Sequence, residues 1–105
     1  MMKLVIHPAA LEEASAAIMF YDDRRLGLGR RFLDNLNEAL RRTETDPLSF
    51  PLYEGSRREI PHRRVLVSRF PYVVAFFVES GCVYVTAIAH TSRRPGYWAT
   101  RQFDS

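Results

Sequence analysis

The chain has 105 residues, of which 47% are hydrophobic and 26% charged, and its net charge is +3 at pH 7. This size and composition predict one globular domain over residues 1–105. No apolar run approaches the roughly 18 residues that cross a membrane. We expect no signal peptide, because only three apolar residues separate Lys3 from His7. The single cysteine, Cys82, excludes an internal disulfide, and we therefore expect a reduced, cytoplasmic protein.

Positive charge is concentrated in the second half of the chain. Residues 1–54 carry 7 basic and 9 acidic side chains, whereas residues 55–105 carry 8 basic and 3 acidic ones. All but one of the basic residues are arginines, whose planar guanidinium group binds phosphate or carboxylate through two hydrogen bonds. The second half is therefore suited to nucleic acid or to an acidic protein segment.

The first predicted elements are a short strand and a helix. The β-branched residues between Lys3 and Ile6 predict a strand, and Pro8 is well placed in the first turn of the helix that follows. Glu12 and Glu13 lie near the positive end of that helix and favour it. The predicted apolar face of the helix consists of Leu11, Ala14, Ile18 and Tyr21.

A second helix is predicted from about Gly29 to Thr45. It ends at Asp46, because the residue before a proline avoids helical geometry. Its apolar stripe consists of Phe32, Leu33, Leu36, Ala39 and Leu40. The short link between the helices predicts an antiparallel hairpin.

The second half of the chain changes to the periodicity of strands after a loop over Pro47–Gly55. Three strands are predicted, over Arg64–Arg69, Tyr72–Val78 and Cys82–Ala89, and their short connections indicate an antiparallel meander. The expected fold is α+β: an N-terminal strand, an antiparallel helix hairpin and a three-stranded antiparallel meander, forming one small sheet with the helices on one face.

The segment after the last strand changes abruptly from apolar to cationic and aromatic residues. It reads His90-Thr91-Ser92-Arg93-Arg94-Pro95-Gly96-Tyr97-Trp98. Each of its polar or aromatic side chains has both a functional and a structural interpretation. His90 either acts as a general acid or base, or forms a hydrogen bond with a backbone group at the end of the strand. Tyr97 and Trp98 either stack on a partner or cover the open end of the core.

The charged groups are equally open to two interpretations. Arg93 and Arg94 either contact a phosphate or carboxylate or are solvated. A second basic patch around the second strand, formed by Arg57, Arg58, Arg63 and Arg64, is usually only solvated. None of the three histidines has metal-ligand spacing, so we expect no metal site and no cofactor.

Together with this tail, several other segments resemble the RelE/ParE superfamily of bacterial toxins along nearly the whole chain. These segments are His7-Pro8-Ala9-Ala10, Leu28-Gly29-Arg30-Arg31-Phe32-Leu33, Phe50-Pro51 and Phe70-Pro71-Tyr72-Val73-Val74. The ending His-x-x-Arg-x-Pro-x-Tyr-Trp is most similar to the ParE branch, often labelled plasmid-stabilisation proteins.

The resemblance implies a toxin of a type II toxin–antitoxin pair that poisons DNA gyrase and is held inactive, in a hetero-oligomer, by a cognate antitoxin. The alternatives are a ribosome-dependent endoribonuclease that cuts messenger RNA, and a non-toxic relative that only binds a partner. Ribonucleases of the superfamily typically carry an arginine where this chain has Val73, which favours the gyrase interpretation.

The resemblance also implies which residues act. The target- or antitoxin-binding residues would be Arg69, His90, Arg93, Arg94, Tyr97 and Trp98. If the protein is a ribonuclease, the catalytic candidates are His90, Arg93 and Tyr97. An apolar surface left over on the helix hairpin would form the antitoxin groove.

Overall fold

Two helices pack on one face of a four-stranded sheet in a computed structural model that describes residues 2–53 and 60–104. The elements in chain order are β1 (Lys3–Ile6), α1 (Pro8–Arg24), α2 (Leu28–Thr45), a 3₁₀ turn (Pro47–Ser49), β2 (Arg63–Leu66), β3 (Tyr72–Glu79) and β4 (Cys82–His90). This order confirms the predicted α+β fold. None of the helices in the described parts of the chain is long and apolar enough to span a membrane.

The strands are arranged in the order β1-β4-β3-β2. β2, β3 and β4 form the predicted antiparallel meander. β1 pairs with β4 in parallel, with Lys3 opposite Cys82 and Ile6 opposite Val85. The sheet is therefore mixed, a feature that the local sequence of β1 does not reveal. Because β1 ends opposite Val85, the last five residues of β4 have no strand neighbour on that side.

The turn between β2 and β3 begins earlier than the sequence suggests. The predicted strand over residues 64–69 was wrong at its end, because β2 stops at Leu66 and Arg69 has a φ of 69°. An extended strand requires a negative φ, so the chain must leave the sheet before that residue. Hydrogen bonds from Val67 N–H to the Tyr72 carbonyl (2.9 Å) and from Phe70 N–H to the Val67 carbonyl (3.4 Å) close the turn.

Helix α1 begins at a histidine cap and buries mainly alanines. The His7 Nδ1 atom accepts a hydrogen bond from the Ala9 N–H group at 3.0 Å. The α1 residues that pack in or against the core are Ala10, Ala14, Ala17, Ile18 and Tyr21. The inclusion of Leu11 in the apolar face was wrong, since this side chain is 52% exposed. The small alanine side chains allow the helix to approach its neighbours closely, and Leu11 is rotated out of that contact.

Helix α2 packs as predicted, with Phe32, Leu36, Ala39 and Leu40 buried and Leu33 half-buried. The two helices approach each other closely at Gly29, where an added Cβ would lie 2.5 Å from the Ile18 carbonyl oxygen. The Asp22 carboxylate accepts hydrogen bonds from the N–H groups of Gly27 (3.0 Å) and Gly29 (3.1 Å). These bonds orient the hairpin turn, in which Gly27 adopts a φ of 90°.

The opposite face of the sheet is covered by the tail of the chain. Trp98 forms a small core there with Ala75 and Ala87. The Phe103 ring makes edge contacts with Phe77 and Tyr84 on the same face. The segment after β4 therefore folds back across the sheet, and this placement determines which of its side chains reach solvent.

Candidate functional site

The β2–β3 turn and the end of β4 lie at the same end of the sheet. Tyr72 at the start of β3 pairs with His90 at the end of β4. The Thr91 N–H group donates a hydrogen bond to the Pro71 carbonyl at 2.8 Å. Arg69 is thus brought to the end of the sheet from which the tail departs, although 24 residues separate it from Arg93 in sequence.

Three exposed arginines lie at this end of the sheet. Arg69, Arg93 and Arg94 are all exposed, and none forms an ion pair with another residue of segments 2–53 and 60–104. Their guanidinium groups are therefore available to a phosphate or carboxylate of a partner.

His90 is half-buried and holds the backbone at the strand end. Its Nδ1 atom accepts hydrogen bonds from the Ser92 N–H group (3.0 Å) and the Ser92 hydroxyl (2.8 Å). A backbone N–H can only donate, so a neutral His90 carries its proton on Nε2. His90 therefore has the structural role that was the alternative to catalysis, a hydrogen bond with backbone at the strand end. Of its two ring nitrogens, only Nε2 is left to contact a partner.

The Tyr97 hydroxyl is bound within the protein. It donates a hydrogen bond to the Glu13 carboxylate, and its ring lies 3.8 Å from the guanidinium carbon of Arg93. Burial, together with the hydrogen bond to Glu13 and the Glu13 charge, raises the pKa of the Tyr97 phenol well above its usual range. A phenol held in this way is poorly suited to exchange protons with a substrate.

Glu13 and Arg101 form a largely buried ion pair beneath the tail. The Nη1 atom of Arg101 lies 2.8 Å from Oε1 of Glu13, and Nη2 lies 3.0 Å from Oε2. Burial alone would raise the pKa of Glu13, but hydrogen bonds from Arg101, Tyr97 and the Ile88 N–H group outweigh it and lower that pKa. Neither residue was predicted as part of a site. Glu13 is indistinguishable in sequence from the exposed Glu12 beside it, so no local signal could have identified it.

Trp98 lies in the core and not on the surface of the protein. Its side chain is 1% exposed, and its ring contacts those of Tyr53 (5.5 Å) and His62 (4.5 Å). Its assignment as a binding residue therefore needs correction in favour of the alternative, that it covers the open end of the core. The physical reason is that the sheet face behind the helices would otherwise expose apolar side chains.

The second basic patch and the predicted 47–55 loop lie only partly within the residues that the structure describes. In the second basic patch, Arg57 and Arg58 lie outside the described residues, as does the end of the predicted 47–55 loop. Arg63 and Arg64 are half-buried, and Arg63 donates a hydrogen bond to the Phe50 carbonyl at 2.6 Å. Val73, the position of the ribonuclease arginine, is 4% exposed within the sheet.

A cleft of about 330 Å³ lies beside Arg69, between the helix hairpin and the β2–β3 turn. It is lined by Tyr21, Leu28, Arg31, Asn35, Arg69, Phe70 and Pro71. Asn35 holds one wall in place, since its side-chain amide donates a hydrogen bond to the Ser68 carbonyl at 3.0 Å. The cleft combines an apolar surface with two cations.

Comparison with known proteins identifies the fold. No family model and no curated protein matches the sequence. Among solved structures, a chain from the chromosomal ParDE TA (toxin–antitoxin) system of P. aeruginosa is similar, with a TM-score of 0.72 and 15% sequence identity. The similarity covers 86% of this chain and 96% of that chain. The two chains therefore share a fold.

Proposed function

From a fold shared with a chain of the ParDE TA system, we propose that this protein is a ParE-like toxin of a type II toxin–antitoxin pair. Its proposed action is inhibition of DNA gyrase, and a cognate antitoxin neutralises it. The observation that carries the proposal is the similarity in fold over 86% of the chain. The exposed arginines 69, 93 and 94 support it, because they offer to a large partner cations that form no ion pair within residues 2–53 and 60–104.

The geometry of the tail favours a binding function over RNA cleavage. Cleavage next to a ribose 2′-hydroxyl requires a proton acceptor within reach and cations at the developing charge. Val73 is buried where the superfamily's ribonucleases carry an arginine, and the Tyr97 hydroxyl is bound to Glu13. The Nδ1 atom of His90 is bound to Ser92. Position 73 therefore lacks the required charge, and the Tyr97 hydroxyl and the His90 Nδ1 atom are held by structural partners.

The cleft beside Arg69 fits the antitoxin. A segment that docks between a helix hairpin and a turn contributes apolar anchors, and acidic side chains would pair with Arg31 and Arg69. Binding there would cover Arg31 and Arg69, so one partner would both occupy the cleft and pair with its two cations. This arrangement accounts for neutralisation by a toxin–antitoxin hetero-oligomer.

The decisive experiment compares two activities of the purified protein. We expect it to inhibit supercoiling by purified DNA gyrase and to leave messenger RNA on translating ribosomes uncut. The double variant Arg93→Ala/Arg94→Ala should lose inhibition. The matched control Arg41→Ala/Arg42→Ala removes the same charge from the exposed face of α2 and should retain it.

Two other outcomes would reject the proposal. Unchanged supercoiling together with codon-specific cuts would identify the ribosome-dependent ribonuclease. Absence of growth arrest on expression, with supercoiling unaffected, would identify a non-toxic binding relative. Addition of the antitoxin encoded beside the gene should restore gyrase activity if the neutralisation part of the proposal is correct.

A further inference from the structure

The edge of β4 beyond β1 presents backbone groups that no strand covers. β1 pairs with β4 only as far as Val85, and the His7 N–H group donates to the Val85 carbonyl at 2.9 Å as the chain enters α1. The next outward-facing groups of β4 are the Thr86 carbonyl and the Ile88 N–H. Buried backbone groups require hydrogen-bond partners, so this edge needs side chains to complete it.

Glu13 and Arg101 supply these partners. The Ile88 N–H group donates to Oε1 of Glu13 at 3.0 Å, and Nη1 of Arg101 donates to the Thr86 carbonyl at 3.0 Å. Since Arg101 and Tyr97 also donate to Glu13, its carboxylate accepts four hydrogen bonds. In all four hydrogen bonds the carboxylate is the acceptor, and the four donor groups belong to Ile88, Tyr97 and Arg101. A carboxylate satisfies them, whereas a glutamine would direct its NH₂ group at some of them.

A chain of contacts connects the same carboxylate to Arg93 through the Tyr97 ring. The Tyr97 hydroxyl donates a hydrogen bond to the Glu13 carboxylate. The guanidinium carbon of Arg93 lies 3.8 Å from the centre of that ring, within cation–π distance. Arg93 forms no ion pair in segments 2–53 and 60–104, so the ring is the contact that holds its guanidinium group.

We propose that Glu13 is a positioning residue: it anchors Tyr97, and through Tyr97 it presents Arg93 to the partner of the toxin. The inference rests on the proposed function only in treating Arg93 as a binding group. The chain of contacts itself runs from α1 through the tail to the surface. It connects residues 80 positions apart in sequence and is independent of which partner binds.

The test uses Glu13→Gln with Glu12→Gln as the matched control, because Glu12 is exposed on the same helix and its substitution removes the same charge. In the wild-type protein the ring current of Tyr97 should shift the δ-proton signals of Arg93 upfield. Glu13→Gln should abolish that shift, and Glu12→Gln should retain it. In the supercoiling assay, Glu13→Gln should raise the half-inhibitory concentration by about tenfold, the equivalent of one lost hydrogen bond to a charged group.

A second variant keeps the proposal testable if Glu13→Gln fails to fold. Tyr97→Phe removes only the hydroxyl and leaves the Glu13–Arg101 pair intact, and it should weaken both the upfield shift and the inhibition. Wild-type signals and potency in Tyr97→Phe, or in a folded Glu13→Gln, would overturn the proposal. A wild-type protein that does not inhibit gyrase would contradict the proposed function alone, because the NMR comparison tests the positioning separately.

Discussion

Replacement of Trp98 by alanine should destabilise the fold and should not act by removing a contact with a target. The indole is 1% exposed and fills the space between the sheet and Tyr53. A buried aromatic side chain removes about 150–250 Å² from water, which corresponds to about 4–6 kcal/mol. Measured tryptophan-to-alanine substitutions cost about 3–5 kcal/mol. Since domains are stable by only about 5–15 kcal/mol, this loss is a large fraction of the total.

The assay is thermal unfolding followed by circular dichroism. A loss of this size should lower the midpoint by at least about 12 °C in a domain of about 100 residues. The control Leu26→Ala removes a side chain that is 90% exposed and should change stability by less than about 0.5 kcal/mol. Trp98 is the only tryptophan, so wild-type emission should be blue-shifted and should move to longer wavelength on unfolding.

A different result would refute this reasoning. If Trp98→Ala kept the wild-type midpoint but lost binding to its target or antitoxin, the indole would have to lie at the interface. The packing of the tail across the sheet would then be incorrect.

Three further predictions concern the ion pair, the exposed arginines and the helix crossing. The folded-state pKa of Glu13 lies below its ordinary value of 4.5, so its contribution to stability is present above that value and is lost as the pH falls through the folded pKa. Urea midpoints measured at falling pH should therefore decline less steeply in Glu13→Gln than in the wild type. Arg93→Ala/Arg94→Ala should abolish toxicity while costing no more than about 1 kcal/mol of stability, because only the contact of Arg93 with the Tyr97 ring is lost, and a larger loss would contradict a surface role. Gly29→Ala should destabilise by roughly 1–3 kcal/mol, because its Cβ would meet the Ile18 carbonyl oxygen at 2.5 Å. Helix propensity alone predicts the opposite sign, so a stabilised variant would show that the crossing can relax.

Much of the secondary structure was predictable because its signals are local. Pro8 begins α1, and Asp46 before Pro47 ends α2, since proline restricts the backbone on both sides of itself. The apolar residues of α2 repeat with the helical period, and the opposite face is polar, so only the apolar face can pack against the core. Helix α1 lacks such contrast. Its alanines and Leu11 are similarly apolar, so periodicity could not tell which of them faces the core.

The candidate site was only partly predictable for the same physical reason. The exposed positions of Arg93 and Arg94 agree with what a charged, proline- and glycine-containing tail suggests about solvent exposure. Arg69 was expected within a strand, and it lies in the β2–β3 turn instead. Whether an aromatic residue of that tail turns inward depends on which sheet face lacks a cover, and that depends on where the helices pack. The residues next to Trp98 in sequence therefore could not predict whether its side chain is buried or exposed.

Amino-acid order by itself determined the succession of strand, helix hairpin and meander, because turns, caps and periodicities act over a few residues. Tertiary structure alone decided the parallel pairing of β1 with β4 and the pairing of Glu13 with Arg101, 88 residues away. Such contacts form because backbone groups left open at one edge must find donors and acceptors wherever the folded chain brings them. That requirement acts through space and leaves no mark on the residues nearby in sequence.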